Sequence, residues 1–231
     1  IVGEMNSLYF KGPKLQKSVI NKAIYQGNIT VDSYFYNRVG GIAGSLGATD
    51  VLNVLAIGNI HSESRNFNKP GFRGGIAGDT TSASTISNVA SLMSFDNTGA
   101  SGIAHQLDKT VVMNTFVAPL SGADLGIADN IDLSTDKYNT VEQASRISSS
   151  YYSGSTNAID SKGNKPSVSA TTYSVMDGRC VSSEGKAVVD QLNQYLQDKV
   201  KTLPPNDYSP WIEYTLDGVA YPIPAWVLQL N

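Results

Sequence analysis

The sequence predicts a mainly β protein, a β-solenoid of stacked repeats with a C-terminal α+β cap. Three observations support this fold class. A small-residue box, Gly-Gly-Ile-Ala-Gly, occurs twice, at residues 40–44 and 74–78. The 21 glycines among 231 residues, together with plentiful Ser, Thr and Asn, indicate many turns between short strands. Only one stretch, near the C terminus, spaces its apolar residues as an amphipathic helix does.

Later copies of the box keep the central Gly-Ile-Ala and change the residues at either end. The box returns as Ser-Gly-Ile-Ala-His at residues 101–105 and as Leu-Gly-Ile-Ala-Asp at residues 125–129, and Ile-Val-Gly at residues 1–3 has the form of a truncated copy. Between the boxes an asparagine follows a short apolar run, at Asn21, Asn53, Asn88 and Asn114. These asparagines are 32, 35 and 26 residues apart. Such irregular spacing is typical of stacked turns whose strands are fixed in length and whose loops are free.

Stacking predicts which residues face inward. The isoleucines of the boxes are expected to form one buried column and the alanines a second one beside it: Ile42, Ile76, Ile103 and Ile127, then Ala43, Ala77, Ala104 and Ala128. The flanking glycines are expected to provide tight corners with positive φ and a close approach of successive backbones. The asparagines are expected to adopt left-handed corners and to stack as an amide ladder. A β-sandwich is the alternative fold, because short strands with turn signals also fit it.

The Gly-Ile-Ala-Gly boxes resemble the GLUG motif, which has a glycine at each end, Leu or Ile second and a small apolar residue third. The resemblance covers about residues 1–132 and is clear in the two intact boxes, while the third and fourth replace the closing glycine with His105 and Asp129. GLUG repeats occur in immunoglobulin A peptidases and in large bacterial surface and adhesin-like proteins. The resemblance implies a right-handed, β-helix-like scaffold outside the cell, and it implies no catalytic residues.

The chain as a whole divides into three parts. Residues 1–137 are interpreted as the solenoid repeats, residues 138–181 as an irregular strand and loop extension, and residues 182–231 as a helix plus hairpin cap. A helix is predicted over 187–200, with Ser182 or Ser183 as its N-cap and Pro204-Pro205 preventing its continuation. Its apolar face comprises Val188, Leu192, Tyr195 and Leu196.

A β-hairpin is predicted around Asp217-Gly218. Its apolar anchors are Trp211, Tyr214, Tyr221 and Trp226. The helix and hairpin are expected to lie against the last solenoid turns, because an open solenoid end exposes strand edges and apolar core. A carbohydrate-binding module is the alternative, since exposed Trp and Tyr side chains stack on sugars.

Candidates for chemistry are few. The chain has two histidines, His61 and His105, and its single cysteine, Cys180, excludes an internal disulfide framework. No metalloprotease, redox or hydrolase motif occurs, so no catalytic, cofactor-binding or metal-binding residue is predicted. An acidic run has two interpretations, as a solvated turn-rich loop or as a source of catalytic carboxylates or calcium ligands: Asp124, Asp129, Asp132 and Asp136.

Composition narrows the function further. A net charge of -3 with 16% charged residues argues against a nucleic-acid partner, and no apolar run is long enough to insert into a membrane. With the stacked repeat, the GLUG resemblance implies a non-enzymatic, adhesin-like segment of a bacterial cell-surface protein, located outside the cell. Its partner would be a host or extracellular protein or glycan.

The contact loop is predicted at residues 62–73, the longest insertion between the repeats. The chain opens with Ile1 rather than Met, so more polypeptide is expected upstream. The alternatives are a β-helix enzyme acting on polysaccharides and a carbohydrate-binding module. An enzyme should present a groove lined with several carboxylates, whereas a binding module should present a row of exposed aromatic side chains.

Overall fold

The structure, a computed structural model, describes residues 2–6, 17–33, 37–64, 71–81, 83–96, 99–118, 123–132, 145–153, 157–159, 168–199 and 207–230. These residues form a β-solenoid of about three turns with one helix near the C terminus, which confirms the predicted fold class. The β-sandwich is not the fold of this part of the chain. The strands are β1 Val2–Asn6, β2 Ser18–Asn21, β3 Ile24–Ser33, β4 Arg38–Gly40, β5 Ala43–Gly47, β6 Thr49–Ser64, β7 Phe72–Gly74, β8 Ala77–Thr81, β9 Thr85–Phe95, β10 Ala100–Ser101, β11 Ala104–Asp108, β12 Val111–Val117, β13 Ala123–Ala128, β14 Asn130–Asp132, β15 Arg146–Ser153, β16 Asn157–Ile159, β17 Val168–Met176, β18 Arg179–Ser182, β19 Trp211–Leu216 and β20 Val219–Pro224.

Each turn crosses three sheets in the same order. Sheet 1 contains β1, β5, β8, β11 and β14, and sheet 3 contains β4, β7, β10, β13 and β16. Sheet 2 contains β2 and β3 beside β6, continues through β9, β12, β15 and β17, and ends with β18, β20 and β19. The box forms the corner between sheet 3 and sheet 1, where only two residues separate β4 from β5.

The boxes stack in register, as predicted. Ala43 pairs with Ala77, and Ala77 pairs with Ala104. The backbone N–H of Ile42 donates to the carbonyl of Ile76 at 3.0 Å, and the same bond continues from Ile76 to Ile103 and from Ile103 to Ile127. Every isoleucine and alanine of the two predicted columns is buried. The truncated copy at the start of the chain also takes its expected place, since Val2 pairs with Ala43.

The glycines of the box act through close approach rather than through left-handed backbone. A Cβ on Gly40 would stand 2.5 Å from the Cα of Ala77, and one on Gly41 would stand 2.5 Å from the carbonyl oxygen of Gly75. The expectation of positive φ at these corners is wrong, because the positive-φ residues of the described chain lie elsewhere. Ala48 and Lys109, at the corner between sheet 1 and sheet 2, are two of them.

The asparagine ladder exists, with one change of register. Asn53, Asn88 and Asn114 have φ of 53°, 54° and 51°. The amides of Asn53 and Asn88 donate to the asparagine of the preceding turn, and the Asn114 amide lies 2.9 Å from Oδ1 of Asn88. In the first turn Asn21 pairs with Leu52, so Lys22, with φ 55°, holds the left-handed position instead. Asn21 still accepts a hydrogen bond from Asn53 at 2.9 Å. Asn21 is therefore the first member of the ladder, although it precedes the left-handed residue by one position.

Parallel stacking continues in β15, β16 and β17. Strand β15 pairs with β12, β16 with β13, and β17 with β15, all in parallel. Ser149 has φ 44° and stands one turn beyond Asn114, so the left-handed corner extends to this turn without an asparagine. The antiparallel strand β18 then ends the coiling of sheet 2.

The C-terminal residues 187–199 and 207–230, here called the cover, pack against the outward side chains of sheet 2, and their hairpin also pairs with β18 at the end of that sheet. They contain the helix α1, Val188–Lys199, the hairpin β19–β20 and a 3-10 helix, Ala225–Leu230. Side chains of α1 and the hairpin share a buried cluster with Leu55, Ala90 and Phe116 of successive sheet 2 strands. The strands β6, β9 and β12 of sheet 2 are thus largely buried on both faces, which explains their nearly continuous apolar runs. The cover extends along the flank of the solenoid, beyond the last turns where it was expected.

Two local predictions for the cover have different outcomes. The hairpin turns at Asp217-Gly218, both with positive φ, as the sequence predicted. The predicted serine cap is wrong, because α1 begins at Val188, after a turn that follows Ser182 and Ser183. Ser182 instead accepts a hydrogen bond from the Gln191 side chain at 2.7 Å.

Replacing Ala77 with Phe should destabilise the solenoid, because Ala77 is fully buried between two stacked turns. Overpacking of this kind costs about 1–3 kcal/mol, measurable as a lower urea midpoint. Val19→Phe is the matched control, because Val19 is 61% exposed. Equal midpoints for the two variants would contradict the stacking of the alanine column.

Candidate functional site

The two residues that break the box pattern meet in space. Ala104 and Ala128 occupy the same column, so His105 and Asp129 take the closing position on adjacent turns. Nε2 of His105 lies 3.2 Å from Oδ2 of Asp129. The same position holds Gly44 and Gly78 in the earlier turns, where a Cβ on Gly78 would stand 2.5 Å from the backbone nitrogen of Val39. The two residues that depart from the box sequence, His105 and Asp129, therefore contact each other on the solenoid.

A second ion pair and an aromatic ring lie beside this pair. Nε of Arg38, at the start of β4, lies 2.6 Å from Oδ2 of Asp79 in β8. The Phe72 ring is 4.9 Å from the His105 ring, and the Arg38 guanidinium stands over Phe72 at 5.9 Å from its centroid. These side chains, together with the fully buried Arg73, are called the corner cluster: Arg38, Phe72, Arg73, Asp79, His105 and Asp129.

The electrostatics of the corner cluster favour a neutral imidazole. Burial lowers the pKa of His105, the positive charge of Arg73 lowers it further, and the carboxylates of Asp129 and Asp79 act in the opposite direction. The His105 side chain is 14% exposed, against 37% for Asp129. The imidazole is thus held by a carboxylate at the edge of a buried, charged corner.

The chemistry available to the corner cluster is limited. A histidine oriented by a carboxylate is half of a nucleophile-activating arrangement, which also needs a Ser, Thr or Cys within hydrogen-bond reach of the imidazole. Cys180 does not supply it, since it belongs to the buried cluster under the cover, where burial raises its pKa to about 12. In the described ranges no group of three or more His, Cys, Asp or Glu side chains is arranged to hold a metal ion.

Only part of the predicted acidic run lies among the described side chains. Asp129 belongs to the corner cluster through His105. Asp124 and Asp132 lie on β13 and β14, but their side chains, and Asp136 altogether, lie outside the described residues. The calcium and polysaccharide interpretations of this run remain predictions.

The other histidine lies at the surface beside the predicted contact loop. Nδ1 of His61 is 3.2 Å from Asp96, and Nε2 is 3.5 Å from Glu63. Of the loop at 62–73, the first residues end β6 and the last begin β7, where Arg73 is buried. Residues 65–70 lie outside the described residues.

The tryptophans are anchors of the cover. Trp211 and Trp226 are buried, and Nε1 of Trp226 donates to the backbone carbonyl of Asn53 at 2.7 Å. The asparagine ladder holds the same segment, because Asn53 Oδ1 accepts from the Ser209 N–H and Asn88 donates to the Ser209 carbonyl. These two tryptophans therefore form no exposed row of the kind that a sugar-binding platform needs.

Sequence analysis identified only two members of the corner cluster, and those as defects of the repeat. Arg38 and Asp79 were missed, and Phe72 and Arg73 were named only as the end of the predicted contact loop, although each of the four lies within two residues of an intact box. The sequence feature that could have identified them is a charged or aromatic residue next to a box made of small residues. Their contacts cross from one turn to the next, which sequence spacing alone does not define.

Comparisons with protein-family models, curated proteins and solved structures give no match. Among the helices that the structure describes, none combines the length and apolar character needed to cross a membrane.

Removing the Asn88 side chain should loosen the cover. Asn88→Gly keeps the left-handed corner but removes the hydrogen bonds that Asn88 makes with Asn53, Asn114 and Ser209. Asn53 Oδ1 keeps its bond from the Ser209 N–H, whereas the Ser209 carbonyl and the Asn114 amide are left without that partner. Each such group costs about 1–3 kcal/mol in the free energy of unfolding, measurable by chemical denaturation. Asn88→Ala should cost about 1–2 kcal/mol more, because alanine disfavours left-handed backbone.

Asn59→Ala is the matched control for the ladder. Asn59 lies on the same strand as Asn53 but is only half-buried, and it accepts a hydrogen bond from Ser94 at 2.8 Å. This variant should change stability little. A stability of Asn88→Gly equal to that of the unmodified protein would show that the ladder does not hold the cover.

Proposed function

We propose that the chain is a non-enzymatic, adhesin-like segment of a bacterial cell-surface protein, exposed outside the cell. Its stacked turns display loops of different lengths to a host or extracellular protein or glycan. The GLUG resemblance of the two intact boxes supports the extracellular setting, and the solenoid agrees with the scaffold that this resemblance implies. The competing functions are the polysaccharide-active enzyme, which the experiment below separates, and the carbohydrate-binding module, which would bind glycans through exposed aromatic side chains and not through the 65–70 loop.

The observation that carries the proposal is the difference between the corners of the solenoid. At the box corner one or two residues connect sheet 3 to sheet 1: residues 41–42, 75–76 and 102–103, and the single residue Asp129. At the corner between sheet 2 and sheet 3 the connections differ in length, from residues 154–156 to residues 65–71. Between sheet 1 and sheet 2 they run from the single residue Ala48 to residues 133–145.

This difference has a physical cause. The box corner cannot accept insertions, because its backbones approach too closely for even a Cβ. The two other corners lie outside that contact and accept insertions at a small entropic cost. Variation confined to loops on a rigid scaffold is the arrangement that binding surfaces use.

Loop exchange tests this function. Residues 65–70 are replaced by a Gly-Ser segment of equal length, and residues 154–156 are replaced likewise as the control. Both chains and the unmodified protein are then measured on a glycan array and on immobilised mucin, fibronectin and collagen. We expect the unmodified chain to bind at least one of these, the 65–70 exchange to lose that binding by tenfold or more, and the control to retain it.

Hydrolysis is assayed on the same polysaccharides by release of reducing ends. The proposal expects no release above background. Turnover that Asp129→Asn abolishes would overturn it in favour of the enzyme, and binding that survives the 65–70 exchange would move the contact surface elsewhere.

A further inference from the structure

The first turn of the solenoid presents a long strand edge. Strand β3 pairs in parallel with β6 over ten residues without a shift in register, and within the described chain no strand pairs with its other edge. Every residue of β3 is at least partly exposed. Tyr25 and Ile29 pack half-buried against the main core, whereas Ala56 and Ile60, their partners in the next turn, are fully buried. The core is therefore less completely covered along this edge than one turn further on.

One hydrogen bond shows which backbone groups point to this edge. The N–H of Leu55 donates to the carbonyl of Ala23 at 3.0 Å, so Ala23 directs its backbone groups toward β6. Successive residues of a strand direct their N–H and C=O groups to opposite edges. Because the register of β3 has no shift, the even-numbered residues from Ile24 to Thr30 direct theirs away from β6. These groups form a template for another strand.

The two edges of sheet 2 differ in how they are protected. Residues 24–31 contain no charged side chain and no proline, the residues that commonly block strand addition. The opposite edge is β19, where the Asn193 side chain bonds both the N–H and the carbonyl of Trp211. Glu213 adds a charge there, paired with Arg179. Among the described strands of sheet 2, β3 thus provides the edge that is suited to strand addition.

We propose that the edge of β3 is a self-association surface, on which a second copy of this chain adds its own β3 in antiparallel orientation. A two-fold axis at Asn28 then continues sheet 2 from one chain into the other. Because each copy uses the same edge, and β19 is protected, the association closes as a dimer and does not extend into a fibre. This inference does not depend on the proposed function.

Strand β3 is self-complementary in this register. Gln26 opposes Thr30 and Asn28 opposes its own copy, so residues whose backbone groups point to the edge meet one another. On the core-facing side Tyr25 opposes Val31, an aromatic and β-branched combination that stabilises cross-strand pairs. The two copies of Asp32 lie toward opposite ends of the paired strands, about 26 Å apart, so their charges do not oppose each other. A second copy therefore fits this edge without any other change in sequence.

Sedimentation equilibrium of the full chain tests the proposal. The unmodified protein should show a monomer–dimer equilibrium with a dissociation constant of about 1–100 µM, as expected for a small interface. Asn28→Lys should raise that constant about fivefold, because two lysines would oppose each other at the axis. Thr215→Lys is the matched control, since it adds the same charge at an exposed position of β19. This control should leave the dissociation constant unchanged.

A mixture of Asn28→Lys and Asn28→Glu gives a readout that a folding defect would not give. Opposite charges then meet at the axis, so the mixed dimer should form at low salt at least as readily as the unmodified one. Circular dichroism checks that each variant keeps its strand content. A chain that stays monomeric at about 0.5 mM, or one that assembles beyond the dimer, would overturn the proposal. Equal weakening by Asn28→Lys and Thr215→Lys, or a mixture that does not associate, would overturn it as well.

Discussion

The structure depends on one constraint, the close approach of successive backbones at the box corner. Gly40 and Gly41 lie so near the turn above them that an added Cβ would stand only 2.5 Å from backbone atoms of Ala77 and Gly75. Because those contacts fix how each turn sits on the next, the isoleucine and alanine columns fall into register. The same contacts keep the corner at one or two residues in the turns where both neighbouring strands are described. Length variation is therefore confined to the other two corners. Only the loops at those corners are free to acquire a binding role.

The second corner of each turn links the solenoid to its cover. Left-handed asparagines cost little in backbone strain, and their amides satisfy one another along the stack. The amides of Asn53 and Asn88 also reach Ser209, so a repeat-derived ladder supplies the polar contacts that hold a segment far along the chain. Apolar burial provides the remaining attraction, because Trp211 and the buried face of α1 cover the outward side chains of sheet 2. Without the cover, the outward apolar side chains of sheet 2 would be exposed, and such a patch promotes aggregation.

Repetition explains how much of this could be predicted. The columns of Ile76 and Ala77 followed from the period of the box, since stacking places equal positions above one another. The register of Asn21 was wrong by one residue because an asparagine and a lysine stand side by side there, and the pairing partner, Leu52, decides which is left-handed. The turn containing Ser149 was missed because its corner lacks an asparagine. The flank position of the cover and the contacts of the corner cluster cross between turns or sheets, and no short-range pattern encodes them.

The closing position of the box shows how a repeat can acquire chemistry without losing its fold. Gly78 cannot carry a side chain, because Val39 of the turn below crowds its Cβ position. Two turns of the same column instead carry His105 and Asp129, and these side chains pair with each other across the turn boundary. A substitution pair of this kind keeps the Ile-Ala core intact, since Ile103, Ala104, Ile127 and Ala128 remain buried. The repeat thus separates two requirements: the inward residues preserve stacking, while the closing position is open to charge wherever the backbone beneath it leaves room.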